Sequence, residues 1–182
     1  MMKVAVFLAD GFEEVEALTV VDYLRRMDIT VDIISIMEGK EVKGAHDIVV
    51  VADRVIDRAG GMGRYDGVVI PGGLPGATNL RDDNDVIDMV RKTDGEGGLL
   101  AAICAGPIVL EKAGIIEGRR ITSYPGFEAE LGGGIYEQKS VVRDNNIITA
   151  RGPALAADFA IEIVAYLLGD EKAEELREDI LY

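Results

Sequence analysis

Leu99-Leu100-Ala101-Ala102-Ile103-Cys104-Ala105-Gly106-Pro107-Ile108-Val109-Leu110, residues 99–110, decides how this chain is read. Leu99 to Ile103 is a short apolar run of the kind that forms a strand buried on both faces. Gly106 and Pro107 break it, and proline suits a first helical turn because the N–H it lacks would be unpaired there anyway. Ile108, Val109, Leu110 and Ala113 continue as a short helix ended by Gly114. The only cysteine of the chain, Cys104, therefore stands at a strand-to-helix elbow. Unpaired helix N–H groups and the positive end of the helix dipole favour a thiolate at such a place. A free cysteine is also among the side chains most often packed as a small hydrophobe, so position alone leaves a reactive and an inert thiol both open.

Outward from the elbow, strand-like and helix-like segments alternate along the whole chain. Strands are predicted at residues 4–8, 30–36, 46–51, 67–70, 99–103, 120–122, 135–142 with a turn near Glu137, and 147–150. Helices are predicted at 14–27, 83–93, 154–168 and 171–177, with a weak one at 54–59, and a hairpin through Glu38-Gly39-Lys40 leads into 46–51. Such alternation predicts a three-layer α/β/α sandwich with a mainly parallel sheet and right-handed crossovers. No internal repeat, low-complexity tract or long linker interrupts it, and 182 residues suit one domain spanning 1–182.

In such sheets ligands sit beyond the carboxyl ends of the strands. Four loops are expected to meet there: residues 10–16, 71–75, Cys104 itself, and 151–153. They supply what chemistry at a thiol needs, namely a nucleophile, a proton acceptor and donors for a developing oxyanion. Glu13, Glu14 and Glu16 lie at the start of the first helix, and helical spacing puts Glu16 at the margin of the apolar stripe beside Val20 and Met27. A partly buried carboxyl there would keep its proton more readily and could shuttle it at neutral pH. Acidic residues in a first turn also simply complement the helix dipole. Gly72 and Gly73 would let the backbone approach a ligand, and the N–H of Ala105 is a second donor beside the thiol. A Pro-Gly-Gly is equally a tight turn. Gly60 to Gly63 precedes a strand and reads as a loop, not a dinucleotide fingerprint. His46, at the start of a predicted strand, reads as a surface residue rather than the base.

Composition narrows the function classes. Net charge −14 and a pI near 4.4 oppose binding to a phosphate backbone, so no nucleic-acid partner is expected. One cysteine excludes an intrachain disulfide, and one histidine leaves no Cys/His metal cluster, so neither metal nor cofactor is expected. No apolar run approaches the roughly 20 residues of a membrane span. Met1 to Leu8 runs straight into Asp10, Glu13 and Glu14 and reads as a first strand rather than a signal peptide. A cytoplasmic protein without membrane partners is the expectation.

Leu8-Ala9-Asp10-Gly11-Phe12-Glu13-Glu14-Val15-Glu16, Val69-Ile70-Pro71-Gly72-Gly73, Ala101-Ala102-Ile103-Cys104-Ala105-Gly106-Pro107 and Ala150-Arg151-Gly152-Pro153 together resemble the ThiJ/PfpI superfamily, in its DJ-1-like (parkinsonism-associated deglycase) branch. The blocks stand in that family's order and spacing over essentially the whole chain. The resemblance implies a flavodoxin-like sandwich of the class I glutamine amidotransferase-like type and a homodimer. It also implies that Cys104 is an oxidisable nucleophile with Glu16 as its proton partner, and that the backbone of Gly73 and Ala105 forms an oxyanion site. Arg26 and His46 fall near positions where a relative carries arginines by a pocket shared between subunits. Two departures stand out: Tyr124 occupies the place of a pocket histidine, and Ala105 follows the nucleophile where the protease branch has histidine. Protease activity is therefore not expected, and the shortage of histidine argues against an amidotransferase triad.

The activity this implies is a cofactor-independent glyoxalase or deglycase, acting through Cys104 on methylglyoxal-type dicarbonyls or their early adducts. The alternative is a redox-responsive stress protein or chaperone whose cysteine is oxidised to sulfinate.

Overall fold

The computed structural model describes residues 2–59 and 61–182. In chain order it contains β1 (Lys3–Leu8), α1 (Glu14–Arg26), β2 (Thr30–Ser35), β3 (Glu41–Lys43), β4 (Val49–Val51), β5 (Arg54–Val55), β6 (Gly67–Ile70), α2 (Gly76–Asp82), α3 (Asn84–Gly95) and β7 (Leu99–Ile103). There follow α4 (Pro107–Lys112), β8 (Arg120–Ile121), β9 (Ile135–Tyr136), β10 (Val141–Asp144), β11 (Ile147–Ala150), α5 (Ala156–Leu168) and α6 (Asp170–Asp179). Seven strands form one sheet in the order β10-β11-β7-β6-β1-β2-β5. Its pairs are parallel except β10 with β11 at one edge.

Successive side chains of a strand point to opposite faces, and here both faces are covered. Val4, Val6 and Leu8 of β1 pack with Val20 and Leu24 of α1 and with Phe159 and Ile163 of α5. Ala5 and Phe7 of the same strand pack on the other side with Leu80 of α2, Val90 of α3 and Val109 of α4. Two cores with one sheet between them make the three-layer α/β/α sandwich, and they explain why the strands read as unbroken apolar runs rather than alternating ones. Among the described residues no helix is long and apolar enough to cross a membrane.

Local expectations fail where a segment's partner lies far away in the chain. The weak helix at 54–59 is instead the edge strand β5, whose Arg54 and Val55 pair with Ile34 and Ser35 of β2. The hairpin does not turn at Glu38-Gly39-Lys40; β3 pairs antiparallel with β4, so residues 44–48 form the turn and His46 sits in it. The predicted strand at 135–142 divides between β9, paired with β8, and the sheet edge β10. Helix α2 escaped the pattern because Pro75 and Gly76 read as turn residues. Of the glycine cluster, Gly60 lies outside the described residues, and Gly61, Met62 and Gly63 form no helix or strand.

Candidate active site

Helices α1 and α5 pack on one face of the sheet and α2 and α4 on the other, so the crossovers after β1 and β6 leave in opposite directions, as do those after β7 and β11. Crevices open at such places. The four loops do converge: the Glu13 N–H donates to Gly72 O at 2.9 Å and the Cys104 N–H donates to Ala150 O at 2.9 Å.

Cys104 has φ +61°, in the left-handed region, at a cost of about 1–2 kcal/mol for a side chain with a Cβ. Its surroundings hold it there. Besides the bond to Ala150, its carbonyl accepts the Tyr124 N–H at 2.9 Å, and the Gly106 N–H closes the turn on Ile103 O at 2.8 Å. The elbow thrusts the thiol out of the strand toward the backbone of Gly73 and Ala105, whose N–H groups work to lower the thiol pKa. Gly73 has φ +85°, and a Cβ there would lie 2.3 Å from the Glu13 backbone nitrogen. Only glycine can turn that N–H inward so close to the first loop.

Glu16, in the first turn of α1, has no exposed surface. Its Oε2 accepts the Gly72 N–H at 2.7 Å, while its buried Oε1 has no hydrogen-bond partner. Gly72 is the spacer between acid and thiol, since a Cβ built on it would lie 2.6 Å from Cys104 Cβ and 2.7 Å from Glu16 Oε2. Its N–H is taken by Glu16, which leaves Gly73 and Ala105 as the donors facing the sulfur. Burial raises the Glu16 pKa to about 7 against the opposing Gly72 N–H.

The N–H groups of Ala105 and Gly73 work to lower the Cys104 pKa, yet burial and the Glu16 carboxylate outweigh them and push the thiol up to about 12. Two of those contributions come from Glu16 in its charged form and disappear when it is protonated. Thiol and carboxyl thus titrate as one unit, in which protonation of Glu16 makes the thiolate easier to form.

The acids at the start of α1 divide their tasks. Glu14 is buried but faces the β3–β4 hairpin: its Oε2 meets His46 Nδ1 at 2.8 Å and its Oε1 accepts the His46 N–H at 2.7 Å. Burial works to raise its pKa, and these bonds outweigh it and leave the carboxyl below its ordinary value. The imidazole is exposed and its pKa is raised, chiefly by the bond to Glu14. This pairing spans 32 residues and left no sequence signal. Glu13, Glu14 and His46 each bring a donor atom within 4.8 Å of the others, the group among the described residues that could hold a cation. Glu14 is already bonded to His46, which supplies that charge itself once protonated. Arg26 lies at the opposite end of α1, about 18 Å away by helical rise, bound to Asp22 and Asp179 at 2.8 and 3.0 Å. The subunit does not bring it to Cys104.

The family model described as the DJ-1/PfpI family matches residues 2–166. The chain belongs to the DJ-1/PfpI family. It is 38% identical over 178 residues to protein dj-1beta of Drosophila melanogaster, covering 97% of this chain and 95% of that one. It is 35% identical over 182 residues to the Parkinson disease protein 7 homolog of Danio rerio, covering 98% and 96%. Among solved structures, Toxoplasma gondii DJ-1 in an oxidized form superposes with a TM-score of 0.95 at 33% identity, covering 100% of this chain and 99% of that one. The crystal structure of Drosophila melanogaster DJ-1beta superposes with 0.92 at 38% identity, covering 99% and 97%. The fold is thus the flavodoxin-like α/β sandwich of DJ-1 proteins, and the family resemblance carried by the four sequence blocks holds over the whole chain.

Proposed function

We propose that the chain works as a single domain and as a cofactor-independent glyoxalase or deglycase, with Cys104 as nucleophile and Glu16 as its proton partner. The observation that carries this reading is a fully buried Glu16 whose Oε1 has no partner but the neighbouring thiol to turn to. A buried carboxyl oxygen without a hydrogen bond costs about 1–3 kcal/mol, and here the group beside it that can use it is the thiol.

The chemistry follows from the placement. The Cys104 sulfur adds to the aldehyde carbon of an α-oxoaldehyde, its proton passing to Glu16, and the oxygen that gains charge accepts the N–H groups of Gly73 and Ala105. Glu16 gives that proton to the oxygen, completing a hemithioacetal, and as the carboxylate then carries a proton between the adjacent carbons through an enediol. The resulting thioester is hydrolysed by water to the 2-hydroxy acid and free thiol. The sum is one dicarbonyl and one water giving one hydroxy acid, with no external oxidant. Lactate formed from methylglyoxal tests it: many equivalents per Cys104 are expected, and none from Cys104→Ser.

The same donors favour a second reading, oxidation of Cys104 to a sulfinate that a protonated Glu16 would hydrogen-bond, and one relative has been solved in an oxidized form. A sensor of this kind consumes peroxide in proportion to protein and turns over no dicarbonyl.

A homodimer is part of the proposal. Val15 and Leu18 on α1 and Ile48, Val49 and Val51 on the adjoining hairpin are exposed, with Val51 at 64%. The Ala45 N–H, bonded to Phe12 O at 2.8 Å, holds that hairpin against the start of α1. An acidic chain associates through such an apolar face, because its charges repel. Sedimentation equilibrium should give about twice the 19.6 kDa chain mass at low and moderate salt alike, and Val51→Glu should shift it toward monomer. A monomer at micromolar concentration in both salts refutes the dimer.

A further inference from the structure

We propose that Arg151 is the anion anchor of a substrate subsite beside Cys104, and that the carbonyl compound this protein takes carries a carboxylate on a short apolar spacer. This rests on the reading of Cys104 as nucleophile and adds to it the substrate class.

A groove of about 310 Å³ runs along the strand edge next to the elbow, lined by Tyr124, Pro125, Ser140, Arg151, Pro153 and Leu155. One wall residue, Tyr124, and the residue preceding another, Arg151, are bonded to the nucleophile's own backbone. The Tyr124 N–H donates to Cys104 O at 2.9 Å, and the Cys104 N–H donates to the carbonyl of Ala150, the residue before Arg151. Strand register agrees, since Ala150 stands opposite Ile103. The walls are mostly carbon, with the Tyr124 ring over Gly152, where a Cβ would lie 3.3 Å from the ring.

Arg151 differs from the other arginines of the chain. Every other one lies within 4.0 Å of a carboxylate oxygen. Arg151 is half-buried, and its guanidinium has no hydrogen bond or ion pair among the described residues; only its backbone N–H is engaged, with Ser140 O at 3.1 Å. Arg151 helps to lower the Glu128 pKa, but Glu128 Oε2 accepts the Gly126 N–H at 2.7 Å and makes no ion pair with the guanidinium. A net charge of −14 offers carboxylates in excess, so an arginine left without one, in a groove beside the nucleophile, fits an anion brought by the ligand. Guanidinium and carboxylate match as planar, two-pronged partners, and the apolar walls strengthen the pair by excluding water. Methylglyoxal is neutral and small and leaves this subsite unused.

The test needs only a reactive thiol. Iodoacetanilide and 4-(iodoacetamido)benzoate share one spacer and differ by the carboxylate. In both, sulfur displaces iodide as the C–S bond forms, and the thiol proton goes to solvent. The rate of the charged probe over the neutral one, divided by the same ratio for N-acetylcysteine, should be about 10 for the wild type, as a charge-assisted pair implies. It should fall to about 1 or below in Arg151→Gln, and Arg151→Lys should keep part of it. Any general change in thiol reactivity cancels in the ratio. A wild-type ratio at or below 1, or one that Arg151→Gln leaves unaltered, overturns the proposal, including the case where a partner subunit's carboxylate neutralises Arg151. If the thiol resists both probes, binding of 4-acetamidobenzoate by calorimetry decides: about tenfold weaker in Arg151→Gln supports the subsite, and equal binding overturns it. Charge preference without methylglyoxal turnover would sink the proposed activity and leave the subsite standing; turnover without preference would do the reverse.

Discussion

Glu16→Gln should make this protein more stable at neutral pH and nearly inactive. Glutamine has the same shape, its amide oxygen can accept the Gly72 N–H that now binds Oε2 at 2.7 Å, and its NH₂ group takes the place of the unpartnered Oε1. What changes is the charge. The Glu16 pKa is 4.5 when unperturbed and about 7 in the folded protein. The folded state therefore holds this proton more tightly than the unfolded chain. The benefit is complete below pH 4.5 and is lost as pH rises through about 7. At 1.36 kcal/mol per unit, the 2.5-unit gap is about 3 kcal/mol. Glutamine does not titrate, so the unfolding free energy of wild type minus that of the variant should fall by about 3 kcal/mol between pH 4.5 and 8. Groups not coupled to Glu16 titrate alike in both proteins and cancel in the difference, and the coupled thiol, at about 12, stays protonated over this range in the wild type. Urea denaturation under reducing conditions, at one protein concentration and a series of pH values, measures it. A difference that stays flat over this range would refute the argument that burial holds the Glu16 proton. Turnover of methylglyoxal in the variant should drop about 100-fold or more, the usual loss for a general acid–base group, so stability and activity would move in opposite directions.

Gly72→Ala places a methyl group against both Cys104 Cβ and Glu16 Oε2, which should cost about 1–3 kcal/mol in urea denaturation and lower both turnover and the rate of thiol alkylation. Wild-type values would show that the two groups do not act across that glycine. Glu13→Gln and Glu14→Gln should reduce turnover far less than Glu16→Gln, and equal losses in steady-state assays would reverse the assignment. Glu14 raises the His46 pKa, so the bond that holds the hairpin turn is strongest below pH 6.5 and weakens as pH rises through the raised value. Hydrogen exchange of the turn amides, corrected for intrinsic rates, should become faster from pH 6 to 8 in the wild type and show no such trend in His46→Ala; an identical trend in both would dismiss the pair as a tether.

The elbow at Cys104 was legible because its signals are local: a five-residue apolar run, then glycine and proline, can hardly be anything but a buried strand meeting a helix. The placement of Glu16 at the edge of the apolar stripe follows from helical spacing and was likewise within reach. Local patterns misjudged Arg54 and Val55, which have too little sequence of their own to specify a strand and become one because β2 leaves an edge to pair. The hairpin turn slipped for the same reason, since its register depends on contacts between β3 and β4 rather than on the glycine at position 39.

By itself the sequence determined the layered sandwich, its strand-end loops and the elbow at Cys104, and it paired Glu16 with that thiol only through the family resemblance. Tertiary structure decided their states. Only the packed molecule shows that Glu16 is wholly buried, that Gly72 rather than Gly73 holds it, that Glu14 is spent on His46, and that Arg151, alone among the arginines, has no ion pair among the described residues. Periodicity and turn chemistry are properties of neighbouring residues and are written along the chain. A pKa or an unpaired charge is set by whatever surrounds the group in space, and those neighbours come from segments that meet only when the sheet is complete.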